Sequence, residues 1–132
     1  MATILIVEDN PDNMTLTVML LQSAGHTVVT AVDAEAGLTL ARDAQPDLIL
    51  MDIQLPGIDG LEATVLLKQD EKTRAIPVIA LTALAMKGDE ERIRAAGCDG
   101  YIAKPMSIQE FLITIAAQLA KTDPGPVTAA AG

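Results

Sequence analysis

The chain has 132 residues, half of them hydrophobic, which is enough for one domain with a substantial core and well outside the composition of disordered chains. A formal net charge of -9 argues against a basic nucleic-acid face and against adsorption to anionic lipid, so proteins or cations are the expected partners, with no nucleic acid and no membrane insertion. One cysteine, Cys98, allows no internal disulfide, and the opening MATILIVED has neither a basic n-region nor an apolar run of spanning length, so the expected compartment is the cytoplasm.

In chain order, TILIVED (residues 3–9) predicts a strand ending on the adjacent acids Glu8 and Asp9. A helix follows, with Asn10 as its cap, Pro11 at its first position and Gly25 as its stop. HTVVTAV (26–32) predicts the second strand, and AEAGLTLARDAQ a second helix that Gly37 weakens. DLILMD (47–52) runs four apolar residues straight into Asp52, and Gly57 and Gly60 then allow a sharp turn. Asp59 caps the third helix, with Glu62 three residues on. PVIALT (77–82) is a strand ending on Thr82, followed by KGDEERIRAAG, a helix that pairs Glu90 with Arg94 and stops at Gly97. GYIAKP (100–105) is the fifth strand, with Lys104 near its end. The fifth helix opens with the capping box of Ser107 and Glu110, and its expected buried stripe is Ile108, Phe111, Leu112, Ile115 and Leu119. Cys98 and the methionines read as core filler, and His26 as a surface residue.

At least three of the strands lack the alternation of a sheet with one wet face, so they are expected to be covered on both sides. Five βα units then imply a parallel sheet with helices on both faces, joined by right-handed crossovers. The stretch TDPGPVTAAAG after Lys121 is expected to be a disordered tail with no output module, giving a domain over residues 1–121 and a tail over 122–132.

Ligand sites in open parallel sheets lie outside the carboxyl ends of the strands, where Glu8, Asp9, Asp52, Thr82 and Lys104 all fall. Three carboxylates gathered there repel one another unless a cation enters, and an oxygen-only ligand set selects a hard ion such as Mg²⁺, which keeps waters for a phosphate to replace. The site is expected to serve phosphoryl chemistry.

The stretches VEDN, DLILMDIQLPGIDG and ALTALAMKGDEERIRAAGCDGYIAKP, in that order, closely resemble the receiver domain of two-component response regulators over residues 3 to 121. The last stretch looks most like single-domain receivers that act without an attached effector. The resemblance implies a flavodoxin-like (βα)5 fold, a doubly wound parallel sheet of strand order 2-1-3-4-5. It implies that Asp52 accepts a phosphoryl group from a sensor histidine kinase, and that Asp9 ligates Mg²⁺ directly, Glu8 mainly through water and Gln54 through its backbone carbonyl. It further implies that Thr82 and Lys104 bind phosphoryl oxygens, that Pro105 fixes its loop through a cis peptide bond, and that Tyr101 is an aromatic switch coupled to Thr82. Ala83 would leave room for the donor, and Gln54 and Leu84 occupy variable positions that tune acyl-phosphate lifetime. Such a protein catalyses only its own phosphorylation and dephosphorylation. Its phosphoryl group serves either a phosphorylation-dependent face that binds a kinase-like effector or a relay to a histidine phosphotransfer protein.

Two other classes fit less well. A haloacid-dehalogenase-type phosphatase needs a second Asp two positions after its nucleophile, where this chain has Gln54. A flavin binder cradles phosphate with hydroxyls and amides in its first loop, whereas EDNPDN carries three carboxylates.

Overall fold

The computed structural model describes residues 2–55, 57–82, 87–103 and 107–122. Five strands, β1 (Thr3–Val7), β2 (Thr27–Ala31), β3 (Leu48–Asp52), β4 (Val78–Thr82) and β5 (Gly100–Ala103), alternate with five helices, α1 (Pro11–Ser23), α2 (Ala34–Ala44), α3 (Gly60–Gln69), α4 (Lys87–Ala95) and α5 (Ile108–Thr122). All neighbouring strands are parallel and the sheet order is β2-β1-β3-β4-β5. This is the doubly wound arrangement expected from the sequence. The stretch after Thr122, like Lys104, Pro105, Ala83 and Leu84, lies outside the described residues.

Strands β3 and β4 are buried at every residue and β1 at all but its first, so their unbroken apolar runs reflect cover on both faces. On one face Leu5, Val7, Ile49, Met51, Val78 and Ala80 meet α2, α3 and α4 through Ala34, Ala41, Ala63, Leu67 and Ile93. On the other, Ile4, Ile6, Leu48, Leu50, Ile79 and Leu81 meet α1 and α5 through Leu21, Phe111 and Ile115. Burial of this apolar surface drives the fold, and the alternation of side chains along each strand supplies both cores at once.

The helix ends follow their local chemistry. The Asn10 side chain accepts from the Asn13 amide at 3.0 Å, and that of Asp59 from the Glu62 amide at 2.9 Å. The ends of α1 and α4 share one closure: Gly25 and Gly97 take positive φ, and the amides that follow, of His26 and Cys98, reach back to the carbonyls of Leu21 and Ile93. At α5, Ser107 caps the helix as expected, the Glu110 amide donating to its hydroxyl at 3.0 Å and Glu110 Oε1 lying 3.2 Å from the same hydroxyl.

Four expectations need correction. Ile108 is 56% exposed and lies outside the buried stripe, which runs through Phe111, Ile115 and Gln118 with Leu112 and Leu119 half-buried. A helical side chain covers the turn before its own Cα, and at the first helical position that puts Ile108 past the end of the helix. Met19 is 62% exposed on α1 rather than in the core, although Met51 is buried, and His26 is half-buried, its Nδ1 accepting from the Ala2 amide. On α4 the ion pair among the described residues is Asp89 with Arg92, at 3.4 Å, in place of Glu90 with Arg94.

Gly37 turns from an apparent weakness into a requirement. A Cβ there would stand 2.7 Å from Val7 Cγ2, so its absence lets α2 lie directly on β1. Gly37→Ala adds about 1 kcal/mol of helix propensity, but overpacking of this kind costs about 1–3 kcal/mol. We expect a lower urea midpoint for Gly37→Ala, and in the double variant with Val7→Ala a loss smaller than the sum of the two. Additive losses would refute the close-packing role.

Candidate functional site

Register builds the site. Val7 pairs with Met51 across β1 and β3, which makes the next residues, Glu8 and Asp52, neighbours at the carboxyl edge. Both are buried, Glu8 at 1% and Asp52 at 6% exposure, while Asp9 faces solvent at the entrance to α1. One oxygen from each of the three carboxylates lies within 4.8 Å of the others. At an effective dielectric near 20, unit charges 4.8 Å apart repel by about 3.5 kcal/mol per pair, a standing attraction for cations.

Backbone amides orient the two buried acids. The Asn10 amide donates to Glu8 Oε2 at 3.3 Å, and the Gln54 amide donates to Asp52 Oδ1 at 3.0 Å. Both bonds arise because the chain turns immediately after each acid, so an N–H two residues on points back at the carboxylate. Only one of the two loop glycines acts by conformational freedom. Gly57 takes φ +75°, but Gly60 serves through its missing side chain: a Cβ there would collide with the Asp52 carbonyl oxygen and stand 2.8 Å from Ile53 Cα. The Gly60 amide donates to the Ile53 carbonyl at 2.9 Å, pinning the start of α3 under the loop that carries Asp52. The sequence marked Gly60 as a turn former, and nothing in it signalled this close approach.

Thr82 stands at the tip of the adjacent strand, one residue past the Leu81 that pairs with Asp52, and is 1% exposed. A small cleft beside it is lined by Ile53, Leu61, Asp89, Arg92 and Ile93. Tyr101 lies one strand further out, paired with Ala80, and packs half-buried against the α2–α3–α4 core. Glu90 of α4 is near enough to raise its phenol pKa, an influence that sequence reasoning missed because it assigned Glu90 to Arg94. Glu8, Asp9 and Asp52 are thus brought together with Thr82 next to them, Gln54 bonds to Asp52, and Lys104 and Pro105 fall outside the described residues.

The match to known proteins agrees with this architecture. The family model of the response regulator receiver domain fits residues 4–116, and the chain belongs to that family. It is 53% identical to the polar-differentiation response regulator DivK of Brucella ovis over 117 residues, 89% of this chain and 95% of that one. Among solved structures, it superposes with TM-score 0.84 and 38% identity on the receiver domain of a sensor histidine kinase from Pseudomonas aeruginosa, described with a magnesium ion coordinated in the active-site cleft, covering 90% of this chain and 98% of that one. The chemotaxis response regulator CheY4 of Vibrio cholerae gives TM-score 0.85 at 27% identity, covering 89% and 98%. No helix among the described residues is long and apolar enough to cross a membrane.

The Glu90 carboxylate holds the Tyr101 phenol above its ordinary value, with a smaller opposing pull from the nearby Arg94. The folded state therefore keeps this proton more tightly than the unfolded chain. The stabilisation is complete below the ordinary phenol value near 10 and is lost as pH rises through the raised one. As the only tyrosine in a chain without tryptophan, Tyr101 can be followed by phenolate absorbance alone. The native midpoint is expected above that of the urea-unfolded chain, and coincident midpoints would contradict this influence.

Proposed function

We propose that this protein is a phosphoryl-accepting receiver: Asp52 takes a phosphoryl group from a histidine of a sensor kinase, with Mg²⁺ required, and the phosphorylated form signals through a protein-binding face made by α4, β5 and α5. The observation that carries this reading is the cluster of Glu8, Asp9 and Asp52, with ligand oxygens within 4.8 Å of one another at the carboxyl edge of a parallel sheet. An all-oxygen donor set with two buried members fits a hard divalent cation, and the magnesium described in the Pseudomonas receiver supports the same choice. Glu8, Asp9 and Asp52, with the Gln54 carbonyl, would hold the ion, which when bound supplies charge neutralisation to the phosphoryl group.

The chain's own groups do the remaining work. A carboxylate oxygen of Asp52 attacks phosphorus in line with the departing imidazole nitrogen, whose bonding pair leaves with the donor histidine, giving an acyl phosphate. The Gln54 amide fixes the Asp52 side chain from one side, so little orientational freedom is lost as attack begins. The Thr82 hydroxyl donates to one phosphoryl oxygen and the Lys104 ammonium to another. Reorientation of Thr82 toward the phosphate couples to Tyr101, which lies on the same face of the sheet with only the methyl of Ala80 beside it. The similarity to the response regulator DivK over 89% of this chain supports a receiver that works as a single domain, and we favour use of its phosphoryl group to bind a protein effector over relay to a histidine phosphotransfer protein.

Incubation with Mg²⁺ and acetyl phosphate is expected to add one acid-stable, base-labile phosphate, and Asp52→Asn to abolish it. Label on a hydroxyl residue, or label surviving that substitution, would overturn the assignment. Asp9→Ala leaves the nucleophile in place but removes one metal ligand. Its Mg²⁺ affinity, read by calorimetric titration, should fall by at least about 10-fold, with slower phosphorylation at fixed Mg²⁺. A wild-type titration curve for Asp9→Ala would place the metal elsewhere.

A further inference from the structure

The two ends of α4 are held differently. Past its C-terminal end the chain runs through Gly97, Cys98 and Asp99 into β5, and each of the three meets another element. Gly97 lies on the stem of Lys68, in the last turn of α3, where a Cβ at position 97 would stand 2.9 Å from Lys68 Cγ. Cys98 is buried, its Sγ 3.8 Å from the Thr64 hydroxyl of α3. The Asp99 carboxylate accepts from the Val78 amide at 2.8 Å and from Lys68 Nζ at 3.1 Å, and the Asp99 amide donates to the Val78 carbonyl at 2.8 Å. Lys68 directs its other two donors at the carbonyls of Ile76, at 2.9 Å, and Arg74, at 3.4 Å, so all three N–H bonds of the ammonium are engaged.

The first turns of α4 lack this bracing. Gly88 and Glu91 are exposed, and Asp89 forms its ion pair with Arg92 of the same helix. A small cleft borders that end, lined by Thr82, Ile53 and Leu61 together with Asp89, Arg92 and Ile93. Displacing residues 97–99 would leave the Val78 amide and the Lys68 ammonium without the Asp99 carboxylate, and a donor left unmet away from water is costly. An element opens instead where its buried contacts are fewest.

We infer that Lys68 is the positioning residue that fixes the C-terminal end of α4, joining α3 and the starts of β4 and β5 at one point, so that α4 answers phosphorylation by swinging its first turns, beside Thr82, about a fixed end at residues 97–99. The inference rests on the reading of Asp52 as the phosphoryl acceptor and adds which end of α4 moves.

The single cysteine of the chain reports on the fixed end. Burial holds the Cys98 thiol above its ordinary value, and among the smaller influences the Lys68 cation pulls it down. Removing that cation would by itself slow reaction with a thiol reagent, so faster labelling reports opening. In Lys68→Met, which keeps the stem beneath Gly97, labelling of Cys98 in the folded chain should rise about 5- to 30-fold, and Lys68→Arg should restore most of the protection. Arg42→Met, which removes another partly exposed pair, Arg42 with Asp70 at 2.9 Å, should label within about 2-fold of wild type. Labelling unchanged in Lys68→Met, or raised equally in Arg42→Met, would overturn the role of Lys68. In the wild-type chain, Mg²⁺ and beryllofluoride, with binding followed by fluorine resonance, should shift the backbone amide resonances of residues 88–93, leave those of Val78, Gly97, Cys98 and Asp99 in place, and leave Cys98 labelling unchanged. Equal shifts at both ends, or none along α4 with the mimic bound, would overturn the swing and leave the phosphoryl-accepting reading intact. Failure of the mimic to bind would remove that reading and the swing together.

Discussion

Two carboxylates buried side by side, Glu8 and Asp52, are the constraint around which the rest of the molecule is arranged. Burying a charge is costly unless polar partners replace the lost water, and two like charges on adjacent strand tips compound the cost. The chain meets this locally, by turning after each acid so that the amides of Asn10 and Gln54 donate back to the carboxylates. It also meets it globally, by fixing the two strands within a sheet whose central members are covered on both faces, so that the acids cannot drift apart to relieve their repulsion. The missing side chain of Gly60 belongs to the same arrangement, because any Cβ there would push the start of α3 off the Asp52 backbone. What results is a preorganised, electronegative site that a hard cation satisfies.

The two faces of the sheet are not equivalent. Leu21, Phe111 and Ile115 anchor α1 and α5 with large side chains, whereas the opposite core is lined in good part by Ala34, Ala41, Ala63 and Ala80. Within that second core α3 adds Leu67, and among the described side chains of α4 Ile93 is the buried one. Local opening costs least where buried apolar contact is least. The element best suited to shift is thus the one that stands beside Thr82, next to the acid cluster, and movement there leaves the acid-bearing strands in place.

Much of this was legible in the sequence because it is encoded over short spans. Uninterrupted apolar runs flanked by turn residues gave the strands, and cap residues such as Asn10, Asp59 and Ser107 gave the helix starts, since a cap requires only the backbone three residues away. Acids at the ends of predicted strands gave the cluster, because parallel topology brings all strand ends to one edge. What escaped depends on distances between elements. Gly37 reads as a helix weakness until Val7 is seen beneath it, and Gly60 as a turn former until the Asp52 carbonyl is seen against it. Glu90 reads as half of a helical ion pair until Asp89 is seen paired with Arg92 instead. Ile108 has the right periodicity for the core, but periodicity does not say where along the helix the sheet ends.

The path from the acid cluster to β5 is short and follows from strand geometry. Side chains alternate across a strand, so on β4 Thr82 and Ala80 share the face on which Tyr101 of β5 also lies, and Ala80 pairs directly with Tyr101. A larger residue at position 80 would stand between the ring and Thr82, whereas a methyl leaves that side open. On the proposed function, a hydroxyl drawn toward a phosphoryl group at Asp52 would change the packing available to an aromatic ring only one strand away, with no need for a long relay through the core. On the proposed function, a chemical event inside a rigid, charged edge would thereby be expressed on a surface that the rigid part does not constrain.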